Sequence, residues 1–417
     1  MSGEISATAK VQSVSHFVVI GAGQAGCSLV AKLRAEGFAG QITLVGSEPV
    51  PPYQRPPLSK AYLLGEMTEE RLYLRPLEFY ADHDIALRLS VQAMTIDTVA
   101  RTVALSDGTA LSYDALALTT GSTPRRLPIA VGGDLAGVYT VRSLADADAM
   151  EPEFRAGRHV LIIGGGYIGL EAAAVAAKKG LHVTVIEMAP RILQRVAAPQ
   201  TSDYIRDLHV GHGVTIRESI GLERLLGDGH VTGARLSDGS EIPVDFAIVG
   251  VGITPNTALA ESAGLVLDNG IATDTHGRTS DPHIWAAGDC ASLMFKGQRI
   301  RIESVGNAID QAEIVALNMM GQGVAYVPAP WFWSDQYDCK LQIGGLNIGY
   351  DAVHVKPGPN ADVQSHWYYQ GDRLIAVDAM NDARNYMIGK RLIEAGKSPA
   401  PSVICDPATD MKALLKA

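Results

Sequence analysis

The sequence predicts an α/β protein in three parts, two parallel-sheet units of one design followed by a C-terminal α+β domain, and three observations carry that reading. At 417 residues the chain is well past the size at which a single core stops growing. A pattern of apolar strand, glycine turn, small-residue helix and second strand occurs twice, with Gly21 and Gly164 at equivalent points 143 residues apart. Beyond about Tyr326 the texture changes to WFWSDQYDCKLQIGGLNIGY and QSHWYYQGDRLIAVDAMN, which reads as antiparallel strands followed by helices.

The first copy runs from His16 to Pro49 and the second from His159 to Met188. Val18 to Ile20 and Val160 to Ile163 are unbroken apolar runs, as expected of strands covered on both faces in a parallel sheet. Each run opens into GxGxxG, as Gly21, Gly23 and Gly26 and again as Gly164, Gly166 and Gly169. The first glycine makes the tight turn, the second lets backbone approach a pyrophosphate, and the third lets helix pack on strand, with the helix N-terminus facing the anion. Such a spacing is also met as a plain tight turn, but here each copy follows an apolar strand and opens a helix. Both copies are therefore read as Rossmann-like, dinucleotide-binding units, and as two live sites rather than one duplication with a dead copy.

Ser47 and Glu48 close the second strand of the first copy, and Glu187 closes that of the second. A carboxylate at Glu187 is placed to accept from a ribose 2′-OH and disfavours a 2′-phosphate, so NADH is expected over NADPH. Arg191 would oppose this if it met a phosphate, and reads equally well as a solvated surface residue. The stretch DGTALSYDALALTTGSTP looks like strands returning to the first sheet, and DGSEIPVDFAIVGVGITPN repeats that phrasing after the second copy. In TSDPHIWAAGDCA a strand is expected to end at Gly288-Asp289 just before a helix, where Asp289 could accept from a ribityl hydroxyl. Such a turn is as often purely structural.

Composition narrows the function classes. The four cysteines, Cys27, Cys290, Cys339 and Cys405, form no CxxC or CxxxxC pair, which argues against a redox dithiol or a disulfide scaffold and for buried reduced thiols. Acidic residues outnumber basic ones 45 to 35, with no basic run interleaved with aromatics, so nucleic acid is not expected as a partner. No uninterrupted apolar run is long enough to cross a bilayer, and the opening MSGEISATAKVQSVS lacks an apolar core and cleavage pattern, so a cytoplasmic protein is expected. His209 and His212 form an HxxH with no third ligand in view, read as a satisfied surface pair; no metal is expected.

Six segments together carry a family resemblance over nearly the whole chain: GAGQAG at 21–26, RPPLSKAYL at 55–63, GGGYIGLE at 164–171, IWAAGDCA at 284–291, RIESVGNAIDQA at 301–312 and WFWSDQY at 331–337. With these the chain resembles the oxygenase-coupled, NADH-dependent ferredoxin reductases of the putidaredoxin reductase type, within the glutathione-reductase-like flavoproteins. The resemblance implies a discontinuous FAD-binding domain (1–121 and 248–325), an NAD-binding domain (122–247) and a C-terminal domain (326–417). It implies that Gly21, Gly23, Ala25, Gly26, Ser47 and Glu48 hold the ADP half of FAD, with Ala93 at the adenine end, Arg142 by the pyrophosphate or ring, Asp289 at the ribityl chain, Val305 at the ring and Trp333 at its outer boundary. Gly164, Gly166, Tyr167, Ile168, Gly169, Glu171, Glu187 and Gly252 would contact NADH.

Lys60 would lie near the flavin ring and Glu171 near the nicotinamide, a pair suited to stabilising reduced flavin, though either residue alone reads as a surface charge; Trp333 alone reads as a core aromatic. The implied reaction is hydride transfer from NADH to FAD, then single electrons to a [2Fe–2S] ferredoxin feeding a cytochrome P450 or a dioxygenase. Arg75 matches a family partner-surface position, whereas Glu313 and Gln342 stand where basic residues are usual. Disulfide reductases share both nucleotide units, but the cysteine pair they need is missing. An NADH-sensing flavoprotein of the apoptosis-inducing-factor type remains the alternative.

Overall fold

A computed structural model describes residues 15–416; the polar opening segment, apart from Ser15, lies outside the described residues. Its first sheet is five-stranded and parallel, in the order Ile284–Ala286, Ala115–Leu118, His16–Ile20, Gln41–Val45, Ile85–Arg88. The second repeats the plan as Thr215–Glu218, His182–Glu187, His159–Ile163, Phe246–Val249, Val138–Tyr139. In both, the glycine-turn strand sits centrally and pairs with its own second strand and with a returning strand. Three strands of each sheet come from outside its repeat, the fifth in chain order being Ile284–Ala286 in the first sheet and Phe246–Val249 in the second.

Local chemistry explains the shared plan. The central strands are buried over four consecutive residues, because helices cover one face of each sheet and a small three-stranded antiparallel sheet covers the other, with Val103 and Leu105 against Val18 and Ile20, and Leu225 and Val231 against Leu161 and Ile163. The helices Gln24–Ala35 and Tyr167–Lys178 each carry basic residues in the last turn, favourable at the carbonyl end, and each is followed by a glycine of positive φ, Gly37 and Gly180. Leu29, Val30 and Leu33 of the first helix pack with Val315 and Ala316 of the helix Val305–Met319 over one face of the first sheet.

The expected boundary between 247 and 248 falls inside the strand Phe246–Val249, which belongs wholly to the second sheet. The two chain crossings between the units lie side by side instead, Ser122–Pro124 pairing antiparallel with Ile253–Pro255. The segment after Asp289 also differs from expectation. It is the strand Ala291–Phe295, drawn into a small sheet by Ile271 and Ala272, and the next helix begins only at Val305, where Ser304 caps it through the Asn307 N–H.

The C-terminal part is a five-stranded antiparallel sheet in the order Trp331–Gln336, Cys339–Gly345, Arg373–Met380, Gln364–Gln370, Ala352–Pro357, backed by the helix Ala383–Glu394. Leu341 and Met380 of this sheet share a core with Ile162 and Phe246 of the second unit. No helix among the described residues is long and apolar enough to cross a membrane.

Candidate functional site

The two glycine turns are built alike to the level of single atoms. Gly21 and Gly164 have φ of +114° and +106°, and a Cβ on either would collide with a carbonyl oxygen of the returning segment, Thr119 or Gly250. A Cβ on Gly26 or Gly169 would strike the carbonyl oxygen of Gly21 or Gly164. The middle glycines are different: a Cβ on Gly23 or Gly166 would meet nothing within 4 Å beyond its own chain neighbours. Each is the N-cap of its helix and offers no side-chain cap. Unpartnered helix N–H groups thus face open space in front of a Cβ-free residue, and that fits a pyrophosphate at both turns.

Around the first turn the expected flavin residues come together on one side. Ala25 is buried against Gly288, bringing the Gly288-Asp289 turn to the helix start. Asp289 accepts from the Ser122 hydroxyl at 2.8 Å and lies 3.7 Å from Arg142, whose guanidinium is half-buried and held below its usual pKa chiefly by that burial. Ser47 is exposed, while Glu48 accepts from the Tyr53 hydroxyl at 2.6 Å and pairs with Arg55. Ala93 begins a separate small sheet, beside which the Val91 N–H bonds the Gly46 carbonyl at 3.0 Å. Val305 opens its helix; the indole of Trp331 rests on neighbouring Gly306 and stacks on Trp333 with ring centroids 5.5 Å apart.

At the second turn, Tyr167 packs its ring 5.0 Å from Phe332 of the C-terminal sheet, Ile168 is exposed, and Gly252, at φ +101°, faces Arg195. Arg191 is only half-exposed and bonds Ser202, so it is less solvated than the sequence suggests. Glu187 braces the glycine turn, accepting from the N–H groups of Gly165 and Ala189, both at 2.8 Å. A carboxylate has further lone pairs for a ribose. Glu187→Gln is expected to lower NADH-over-NADPH preference about tenfold, the order of one relieved like-charge contact near a surface; an unchanged ratio of kcat/KM values would remove Glu187 from nucleotide choice.

Lys60 and Glu171 meet between the turns. The ammonium lies 2.7 Å from Glu171 Oε2, with side chains only 17% and 4% exposed, which rules out two ordinary surface charges. Ser59 donates to Oε2 at 2.9 Å and Ser334 to Oε1 at 2.7 Å, so two separate segments, 59–60 and the strand at 334, converge on the carboxylate of a third. Burial pushes the Glu171 pKa up, while Lys60 and the two hydroxyls oppose that shift. Sequence reasoning missed Ser59, Ser334 and Ser122. The first two lay inside quoted motifs, and strand alternation in WFWSDQ was signal enough to point Ser334 inward.

Arg75 is exposed on a separate face. Its guanidinium lies 5.4 Å from the Phe79 ring, and it lines a groove with Lys32, Arg34 and Glu313 between the first helix and the Val305 helix. Gln342 sits elsewhere, opposite Trp333 in the C-terminal sheet. Cys27, Cys290 and Cys339 are buried and Cys405 half-buried, all as free thiols.

The model of the pyridine nucleotide-disulphide oxidoreductases matches residues 15–312, and that of the reductase C-terminal domain matches 331–415. A ferredoxin–NAD(P)(+) reductase from a Sphingomonas species is 44% identical, with 95% of this chain and 97% of that protein covered. Putidaredoxin reductase from Pseudomonas putida is 41% identical, with 96% and 97% covered. Among solved structures, the covalent putidaredoxin reductase–putidaredoxin complex superposes with a TM-score of 0.93 at 40% identity, covering 96% of this chain and 98% of that one. By the doubled glycine turn, the added C-terminal sheet and these matches, the chain belongs to the pyridine nucleotide-disulphide oxidoreductase family.

Proposed function

We propose that this chain is an NADH-dependent ferredoxin reductase, holding FAD at the Gly21 turn and binding NADH at the Gly164 turn, and that it serves a [2Fe–2S] ferredoxin of an oxygenase system. The observation that carries this is the buried Lys60–Glu171 pair, set where both glycine-turn units and the C-terminal strand meet. Residues 15–121 and about 250–325 form the FAD unit, those between form the NADH unit, and 326–416 form the C-terminal part that brings Ser334 to the pair. FAD supplies the conversion, taking a hydride's electron pair and releasing electrons one at a time, as an iron–sulfur cluster requires.

The chain's own residues bind, orient and set the field. The uncapped helix ends would hold the two pyrophosphates, with Arg142 beside the first and Asp289 toward the ribityl chain. Lys60 brings positive charge to the region where reduction adds negative charge, and Glu171 fixes its geometry. No side chain needs to move a proton in a hydride step. Arg75, in the exposed groove, is a candidate contact for an acidic ferredoxin. The residues present offer no thiol pair for a disulfide substrate.

Anaerobic stopped-flow mixing with NADH or NADPH, then with a [2Fe–2S] ferredoxin, tests the assignment. Fast flavin bleaching by NADH followed by cluster reduction is the expected result. Slow reduction without ferredoxin turnover would overturn it in favour of an NADH-sensing role.

A further inference from the structure

His209 is not the surface residue that its HxxH setting suggests. It is fully buried, on the helix Pro199–Gly211 of the second unit, while His212 lies outside and stacks on Tyr337 with centroids 3.7 Å apart. The strand Trp331–Gln336 turns alternate side chains inward, which buries Ser334 and Gln336 on one face. These residues form one continuous series of hydrogen bonds. The Tyr337 hydroxyl lies 3.2 Å from His209 Nδ1, and His209 Nε2 lies 2.7 Å from Gln336 Oε1. Gln336 Nε2 donates to Ser334 Oγ at 3.0 Å, and Ser334 donates to Glu171 Oε1 at 2.7 Å.

Donor chemistry fixes the direction throughout. An amide oxygen only accepts, so His209 Nε2 must carry the proton and Nδ1 accepts from Tyr337. Burial keeps the ring neutral by lowering its pKa to about 4. Every donor therefore points toward Glu171, whose other oxygen receives Lys60. A carboxamide in the middle does not relay protons, so the series orients groups rather than conducting.

We propose that His209 is a positioning residue for the Lys60–Glu171 pair, acting through Gln336 and Ser334 across the junction of the second unit with the C-terminal sheet. The inference rests on the functional reading of that pair given above. Without an N–H at His209, nothing holds the Gln336 oxygen toward the helix. The amide can turn over, Ser334 then donates to Gln336, and Glu171 Oε1 loses its donor. Lys60 is left with a carboxylate held only through Oε2, by Ser59 and by Lys60 itself.

Four single variants, one double variant and one spectrum test this. His209→Gln keeps an N–H near the Nε2 position, His209→Leu removes it, and Gln336→Met breaks the series while sparing His209. His209→Leu and Gln336→Met are each expected to slow flavin reduction by NADH about tenfold, the order for one lost hydrogen bond to a charged group, with His209→Gln within about twofold of the parent. In a Glu171→Gln background, His209→Leu should add nothing. Nitrogen-15 histidine spectra of the FAD-loaded protein should show His209 as the neutral Nε2–H tautomer.

Parent-like reduction in Gln336→Met, an equal loss in His209→Gln and His209→Leu, or an Nδ1–H tautomer would overturn the proposal. So would an undiminished effect of His209→Leu in the Glu171→Gln background. If Glu171→Gln alone reduces at the parent rate, the reading of the ion pair fails and the inference falls with it; if Glu171→Gln is slow while His209→Leu and Gln336→Met are not, only the inference fails. Should His209→Leu not fold, Gln336→Met and the tautomer still decide.

Discussion

Valine at position 166 is expected to leave a folded, flavin-loaded protein that NADH reduces at least about 100-fold less efficiently, the order reached when a bound reactant is displaced by an ångström. Gly166 has φ −84°, which valine tolerates, and its Cβ would meet nothing within 4 Å. Trading glycine for valine at a helix N-cap costs about 1 kcal/mol, too little to unfold a chain of this size. The damage falls on whatever must approach the turn. Gly169→Val is the contrasting control, because its Cβ collides with the Gly164 carbonyl oxygen and loosens the protein with or without nucleotide. Melting temperature, flavin absorbance and the NADH dependence of the reduction rate separate the two, and normal reduction of Gly166→Val would remove this turn from NADH binding.

Lys60→Met is expected to make stability depend steeply on pH and to slow reduction of the flavin. Glu171 already has a pKa above the ordinary 4.5, with burial as the first cause, and Lys60 supplies the two largest opposing contributions. Removing the ammonium drives the folded-state pKa higher still. The native state then binds a proton that the unfolded chain has released, so its stabilisation is full below about 4.5 and is lost as pH rises through the folded pKa. Across that window stability falls by up to about 1.4 kcal/mol per pH unit. The melting temperature of Lys60→Met should therefore fall, relative to the parent, between pH 5 and 8, and the added Glu171→Gln substitution should abolish that slope. A slope matching the parent's would mean that Lys60 does not hold Glu171 ionised.

What could be read from the chain was local. Two glycine turns, their flanking strands and the change of texture near Tyr326 are patterns within some thirty residues, and they yielded both parallel sheets and the antiparallel third. Errors arose where tertiary pairing decides. The segment after Asp289 is a strand because Ile271 and Ala272 offer it an edge, and no periodicity reveals that. His209 looked exposed because one turn of helix cannot show which face a distant sheet will cover. Lys60 and Glu171 were named from their motifs, but their contact and its supporting serines depend on how three segments dock.

The fifth strand of the first sheet, Ile284–Ala286, and the helix Val305–Met319 that covers it come from beyond the second unit. A chain leaving the ribosome therefore carries an unfinished first sheet while the strands of the second, from Val138 to Val249, are already complete in one stretch. The unit begun first is completed last. Until Ile284–Ala286 is made, the Ala115–Leu118 edge has no neighbour on that side, a bare margin open to wrong pairing, and until residue 319 is made one face lacks its second helix, so pauses in translation between 250 and 320 would be the most damaging to yield.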